Sequence, residues 1–397
     1  MDPIKNPFAP GAGSPPPELA GRTEVLSRAR VAIARIGQGR PAKSLILVGL
    51  RGVGKTVLLV RIKELAEDDG FKAAIIEAHE GKSLPGLLVP TLRQILFSLD
   101  TIASARDKAK RGLRVLLSFV RSAKLTIGDY DIGLSIDPER GTADSGDLEA
   151  DLGQLLIAVG EAARAAGKAI AICIDELQYL SEAEFSALIM AIHKITQNQL
   201  PIVVIGAGLP QIIGLAGESK SYAERLFDYP MVGALSGSDA RAAIERPMEE
   251  LGVRFTDQAI VEILRRTERY PYFLQQWGHE AWNIAEDSPI HIDDINRATS
   301  AAILSLDEGF FRVRFDRCTP SEKRYLRALA ELGPGSQRSG EIAEQLGVKS
   351  TTVGPIRSKL ITKGMIYSPE HGVTAFTVPL FDEYMHRVMP GNSWRRS

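Results

Sequence analysis

Apolar positions along the chain change texture twice. Between residue 44 and about residue 235, short aliphatic and β-branched runs at 45–48, 73–76, 170–174 and 202–205 alternate with segments of helical period. Runs of that length without a polar break suit parallel strands buried on both faces, so this half predicts an α/β sheet with crossover helices. Ahead of it, Val25, Leu26, Ala29, Ile33 and Ile36 line one face of an amphipathic helix that stops at Gly37. Two features interrupt the rhythm: a basic helix over 104–123, and an alternating segment over 125–136 that predicts a β-hairpin. After Leu235 the strands give way to helical periods starting at Ser238, Thr256, Tyr270-Pro271 and Asp293. A third pattern opens at Thr319-Pro320-Ser321-Glu322, a capping box with proline at the first helical position. Its helix runs to Gly333, a short one follows Ser339, another spans 352–363, and 365–368 pairs with 373–378 around Pro369-Glu370-His371-Gly372. Three helices and a hairpin at this spacing describe a winged helix.

The expected organisation is therefore a disordered, proline-rich leader (1–18), an α/β core (19–235), an all-helical lid (236–318) and a winged helix (319–397). Proline at 3, 7, 10, 15, 16 and 17 keeps the leader from holding a helix. Composition adds exclusions. With 397 residues, 44% of them hydrophobic, the chain can fill more than one core, and 48 cations against 49 acids rule out a bulk polycation. Cys173 and Cys318 are too far apart for a CxxC pair, which fits a reducing compartment. The start lacks a signal-peptide pattern and no apolar run approaches the roughly 18 residues that span a bilayer, so a cytoplasmic protein without integral membrane association is expected.

The strongest chemical signal is Gly49-Leu50-Arg51-Gly52-Val53-Gly54-Lys55-Thr56, a complete GxxxxGK[ST] between a predicted strand and the helical run that begins at Val57. Glycines let successive backbone amides turn toward phosphate oxygens, and the following helix adds its positive end. Lys55 would reach the terminal phosphates and Thr56 would offer a hydroxyl to Mg²⁺. The complementary carboxylates close the run Ala169-Ile170-Ala171-Ile172-Cys173-Ile174-Asp175-Glu176. Asp175 would hold Mg²⁺ and Glu176 would polarise the attacking water, although an Asp-Glu pair before Leu177 is also good capping chemistry. ATP and Mg²⁺ are the expected cofactors, and no NKxD motif for guanine is present.

With these motifs the chain resembles the AAA+ and STAND-type P-loop ATPases, and more narrowly the origin-recognition-complex-like ATPases of bacteria and archaea. Further matches are Pro16-Pro17-Glu18-Leu19-Ala20-Gly21-Arg22, Asp175-Glu176-Leu177-Gln178, Gly206-Ala207-Gly208-Leu209-Pro210, Ser221-Tyr222-Ala223-Glu224-Arg225-Leu226-Phe227 and Tyr270-Pro271-Tyr272-Phe273-Leu274-Gln275. The resemblance implies that Gly21 and Arg22 lie in the segment against adenine, that Arg225 is an arginine finger, and that Pro271 stands where other lids carry a sensor-2 arginine. It departs from the AAA+ pattern at sensor 1, where Val203-Val204-Ile205-Gly206-Ala207 has no polar side chain. Both gaps point to a slow ATPase acting as a switch. Arg225 acting in trans would need a homo-oligomer; the alternative is a surface residue pairing with Glu224 or Asp228.

Between Arg106 and Lys124 seven cations face one acid, which reads either as the solvated side of an amphipathic helix or as a nucleic-acid or anionic-lipid contact. The winged helix carries 11 cations against 7 acids, and Arg357, Lys359 and Lys363 on its third helix suit the phosphates of double-stranded DNA. The expected function is a slow nucleotide-dependent switch whose winged helix binds DNA. The alternative is a signalling or defence scaffold whose winged helix contacts protein partners.

Overall fold

All four uninterrupted aliphatic runs form strands: β1 (Ser44–Val48), β2 (Lys72–Glu77), β3 (Ile170–Asp175) and β4 (Ile202–Gly208). Every residue of β1, β3 and β4 is buried, as expected for strands covered on both faces, whereas β2 is partly exposed at one edge. The two-residue β5 (Phe227–Asp228) completes the other edge, giving a parallel sheet in the order β2-β3-β4-β1-β5. Cys173 pairs in register with both Ile75 and Ile205. Because all strands run the same way, Val48 at the end of β1 and Asp175 at the end of β3 emerge at one edge of the sheet, with β4 between them. This is a P-loop NTPase fold.

The structure, a computed structural model, describes residues 1–11, 13–125, 137–220 and 223–395. The hairpin expected over 125–136 lies outside the described residues, apart from its first. The chain separates into two units, Thr23–Val48 with Lys55–Met231, and Met1–Arg22 with Gly49–Gly54 and Val232–Ser397. In the first, α1 (Thr23–Gly37) buries Val25, Ala29, Ile33 and Ile36, as its spacing predicts. The sheet is flanked by α2 (Lys55–Asp68), which packs on it beside α1, and by α3 (Leu84–Asp100), α4 (Arg106–Ser122), α5 (Leu148–Ala165) and α6 (Glu182–Gln197), whose apolar faces share one core. The basic helix is α4: Leu113, Leu116, Leu117 and Val120 are buried, while Lys108 and Arg111 pair with Glu161 at 3.0 and 3.1 Å. Two short helices follow β4, α7 (Ile212–Ser219) and α8 (Ala223–Leu226).

The second unit holds α9 (Gly237–Glu249), α10 (Asp257–Arg266), α11 (Pro271–Ile284) and α12 (Ile292–Ser305), with Ser236, Thr256, Tyr270 and His291 at their N-cap positions. A π-helical turn at Leu306–Phe311 and α13 (Arg312–Asp316) lead to α14 (Pro320–Glu331), whose Thr319/Glu322 capping box is formed. With α15 (Ser339–Leu346), α16 (Ser350–Thr362) and a sheet of order β6-β8-β7, namely β6 (Gln337–Arg338), β7 (Ile366–Tyr367) and β8 (Val373–Phe376), it makes a winged-helix-like arrangement. The pattern missed β6 and the terminal helix α17 (Phe381–Val388), whose Phe381 and Tyr384 join Phe311 in an aromatic cluster.

The leader departs from the disorder expected of it. Phe8 is buried with its ring against Gly278, Asn6 donates to the His279 carbonyl and to Asn283 Oδ1, and Trp282 Nε1 donates to the Asp2 carbonyl. Prolines exclude a helix but not an extended segment laid along α11, and one buried aromatic with a few amide hydrogen bonds is enough to seat it.

Candidate nucleotide site

β1 delivers the chain into the loop at Gly49, where a Cβ would meet the Val232 carbonyl oxygen at 2.0 Å; only glycine tolerates that approach. Gly52 (φ 80°) and Gly54 (φ 89°) are left-handed on either side of Val53, the alternation that lines successive amides along one concave side. On the other side the loop is held by its backbone. Arg22 Nη2 donates to the Val53 carbonyl at 3.0 Å and to the Gly233 carbonyl at 2.7 Å, and the Tyr272 amide donates to the Gly52 carbonyl at 3.1 Å. The Arg51 amide donates to the Thr377 carbonyl at 3.0 Å, and Arg51 Nε approaches the Gly364 carbonyl at 3.5 Å.

Each partner has a local cause. Pro271 occupies the first position of α11, where a missing N–H costs nothing, so the helix starts there and the next amide, on Tyr272, is left to point outward at the loop. Arg22 is buried, which lowers its pKa against the pull of Asp239, and Gly21 beside it is left-handed (φ 66°) with Asp239 where a Cβ would stand. The winged-helix-like segment supplies Thr377 immediately after β8. Leu50 and Arg51 are half-buried.

The motif continues into α2, where Lys55 is buried, Thr56 is exposed and Val57 is half-buried. Thr56 Oγ1 donates to Asp175 Oδ2 at 2.5 Å. Burial raises the Asp175 pKa, against the opposing pull of the Thr56 hydroxyl. A hydroxyl and a buried carboxylate are hard oxygen donors on one side only, the partial set that Mg²⁺ takes when phosphate and water supply the rest. Glu176 has left-handed backbone (φ 54°), unusual for a residue with a side chain. Its carboxylate accepts from the Gln178 amide, and Gln178 Oε1 accepts from the Leu209 amide at 3.1 Å, just past β4. In the sequence Gln178 is only the last letter of a motif; in the fold its polar group stands at the end of the strand whose own residues 203–207 are all buried and offer none. Cys173 is buried and its thiol pushed up to about 12, consistent with a packing residue.

Arg225 is exposed on α8. On α16 the structure corrects the expectation that Arg357, Lys359 and Lys363 form one free face. Arg357 donates to Thr374 Oγ1 at 2.9 Å, Ser368 Oγ at 2.6 Å and the Val373 carbonyl at 3.0 Å, so it ties α16 to the wing. Lys363 donates to Glu322 Oε2 at 2.7 Å and the Arg317 carbonyl at 2.8 Å. Lys359 and Lys349 are exposed.

Residues 18–205 match the model of the AAA ATPase domain, and residues 308–385 match a domain of unknown function, DUF8462. Among curated proteins none matches the chain in sequence. Among solved structures, the Walker-type ATPase PABY2304 of Pyrococcus abyssi is 16% identical over 93% of this chain and 96% of that one, with a TM-score of 0.58. The Orc1 protein of Aeropyrum pernix in complex with DNA is 16% identical over 93% of each chain, with a TM-score of 0.48. The Thermotoga maritima RuvB Holliday junction branch migration motor is 16% identical over 90% of this chain and 92% of that one, with a TM-score of 0.42.

Proposed function

We propose that this chain, an ATPase built on an AAA ATPase domain, is a slow ATP·Mg²⁺-dependent switch whose output is its C-terminal winged-helix-like segment. The observation that carries the reading is the hydrogen bond from the Arg51 amide to the Thr377 carbonyl: the phosphate loop and the winged-helix-like segment share a backbone contact, so a ligand that reshapes one moves the other. Residues Gly49 to Val57 hold the phosphates, Gly21, Arg22 and Pro271 belong to the nucleotide-binding set, and Thr56 and Asp175 hold Mg²⁺, which neutralises phosphate charge. Glu176 takes the proton of the water that attacks the γ-phosphorus as the bond to ADP breaks. The polar gap along β4 keeps turnover low. The layout supporting this is a leader (1–18), an ATPase core (19–235), a helical lid (236–318) and a winged helix (319–397), in a cytoplasmic protein.

Duplex DNA is the proposed partner, with Lys359 and Lys349 as the phosphate contacts, Arg357 tying α16 to the wing and Lys363 tying the end of α16 to Glu322 and Arg317. The internal engagement of those two cations also supports a second reading, a scaffold whose winged helix contacts protein. Hydrogen exchange of the Arg51 amide and of residues 364–378, compared between the ATP- and ADP-bound protein, tests the switch. Faster exchange in one state is expected, and identical protection in both would remove it. Duplex binding at low salt in both states separates DNA from protein as the partner. A rate per subunit that rises with protein concentration and is flattened by Arg225→Ala would place Arg225 in a homo-oligomer interface.

A further inference from the structure

We infer that Arg22 is a positioning residue for phosphate rather than a contact for the base: it acts through the peptide between Val53 and Gly54. The inference rests on the proposed nucleotide site and assigns one residue a job within it.

A trans peptide is rigid, and its C=O and N–H point in opposite directions. Whatever grips the carbonyl therefore aims the next amide. Arg22 Nη2 has two N–H bonds, one spent on the Val53 carbonyl at 3.0 Å and the other on the Gly233 carbonyl at 2.7 Å. The first grip turns the Gly54 amide away from Arg22. The Tyr272 amide does the same one peptide earlier, holding the Gly52 carbonyl at 3.1 Å and turning the Val53 amide away. These two amides are consecutive, and the left-handed glycines on either side of Val53 bend them onto the concave side of the loop. The second Arg22 bond fixes this arrangement to a point remote in sequence, so the loop is braced against Gly233 rather than merely bonded to a mobile side chain.

Left-handed glycine is also the most freely rotating residue in a chain, and a loop with two of them has no intrinsic preference for one peptide orientation. Without Arg22 the Val53–Gly54 peptide is free to turn over, and an amide that should meet phosphate oxygen is replaced by a carbonyl that repels it. Burial suits the guanidinium to this role, because a strut must not exchange its carbonyls for water: Arg22 is 7% exposed. The planar fork with fixed donor directions is what a lysine lacks.

The test compares full-length protein with Arg22→Met, which keeps the stem and removes the donors, and with Arg22→Lys. Affinities for tripolyphosphate, which has no base, and for adenosine, which has no phosphate, are read by displacement of a fluorescent ATP analogue, and the melting temperature of each ligand-free protein is recorded. The inference expects Arg22→Met to weaken tripolyphosphate by about 10-fold or more, the scale of one charge-assisted hydrogen bond, while adenosine affinity stays unchanged. Arg22→Lys should recover part of the loss. Weakened adenosine with intact tripolyphosphate would make Arg22 a base contact and overturn the inference. Parallel loss of both, tracking a lowered melting temperature, would make it a structural residue only, and no change in either would remove it. If Arg22→Met does not fold, the same comparison on Arg22→Lys decides, with a smaller loss confined to tripolyphosphate as the supporting result. Failure of the unsubstituted protein to bind ATP would instead defeat the proposed function itself.

Discussion

Gln178 connects Glu176 to the end of β4: its side-chain amide donates to the Glu176 carboxylate, and its carbonyl oxygen accepts the Leu209 amide at 3.1 Å. The carboxylate that would take a proton from water is thus oriented from a neighbouring strand. Gln178→Leu should lower kcat by about 10- to 100-fold while leaving KM for ATP within about twofold, because the base loses its orientation and the phosphates lose nothing. Steady-state kinetics checks the split; a change confined to KM would show that Gln178 serves binding.

Removing either motif residue separates binding from chemistry. Lys55→Ala should cost on the order of 100-fold in ATP affinity, since it deletes the cation facing the phosphates. Glu176→Gln should keep ATP bound and slow hydrolysis by about 10²- to 10⁴-fold. Calorimetry on the first and single-turnover assays on the second decide, and unchanged affinity or unchanged turnover in a folded variant would refute the corresponding assignment.

The buried Asp175 carboxylate gives a pH signature. Burial raises its pKa in the folded protein above the unfolded value, about 3.9 for aspartate, so the fold binds its proton more tightly than the unfolded chain does. Its stabilising contribution is therefore present below that unfolded value and is lost as pH rises through the raised folded one. Asp175→Asn should accordingly raise the melting temperature of the nucleotide-free protein by a few degrees at pH 7 while abolishing Mg²⁺-dependent ATP binding. Differential scanning calorimetry from pH 4 to 8 measures both slopes. A lower melting temperature for the variant would mean that the Thr56 bond outweighs burial.

How much of this could be read in advance depends on where each interaction has its partners. β1, β3 and β4 are plain because burial on both faces leaves a continuous run, and β2 keeps an aliphatic run although it is partly exposed, whereas β5 has only two residues and no pattern to show. Asp175 and Glu176 were legible as carboxylates ending a strand. Arg22 stands out only through a resemblance, because its partners are carbonyls, and a backbone atom leaves no mark in the sequence. The seating of Phe8 hides for a related reason: one aromatic among prolines gives no period, and its pocket is the missing side chain of Gly278.

On α16 the same limit produces a distinct expectation for two cations that looked alike. Arg357→Met should destabilise the protein by about 1–3 kcal/mol, because it strands the polar groups of the wing. Lys359→Ala should leave stability within about 0.5 kcal/mol and, with duplex DNA as partner, reduce the log–log salt slope of binding by about one. Chemical denaturation and a salt titration measure the two effects. An unaltered slope would turn the proposal toward a protein partner.

The anchoring of the phosphate loop bears on what can be inherited or transplanted. The stretch that matches an ATPase domain ends at residue 205, yet Gly233, Tyr272 and Thr377, which brace the loop directly or through Arg22, all lie beyond it. A recombination event that carried away the matched stretch alone would keep the phosphate loop and Asp175-Glu176 and leave those braces behind. The unit that must travel together is therefore longer than the matched stretch, and any replacement of the C-terminal half would have to bring two carbonyls and one backbone amide to the same places.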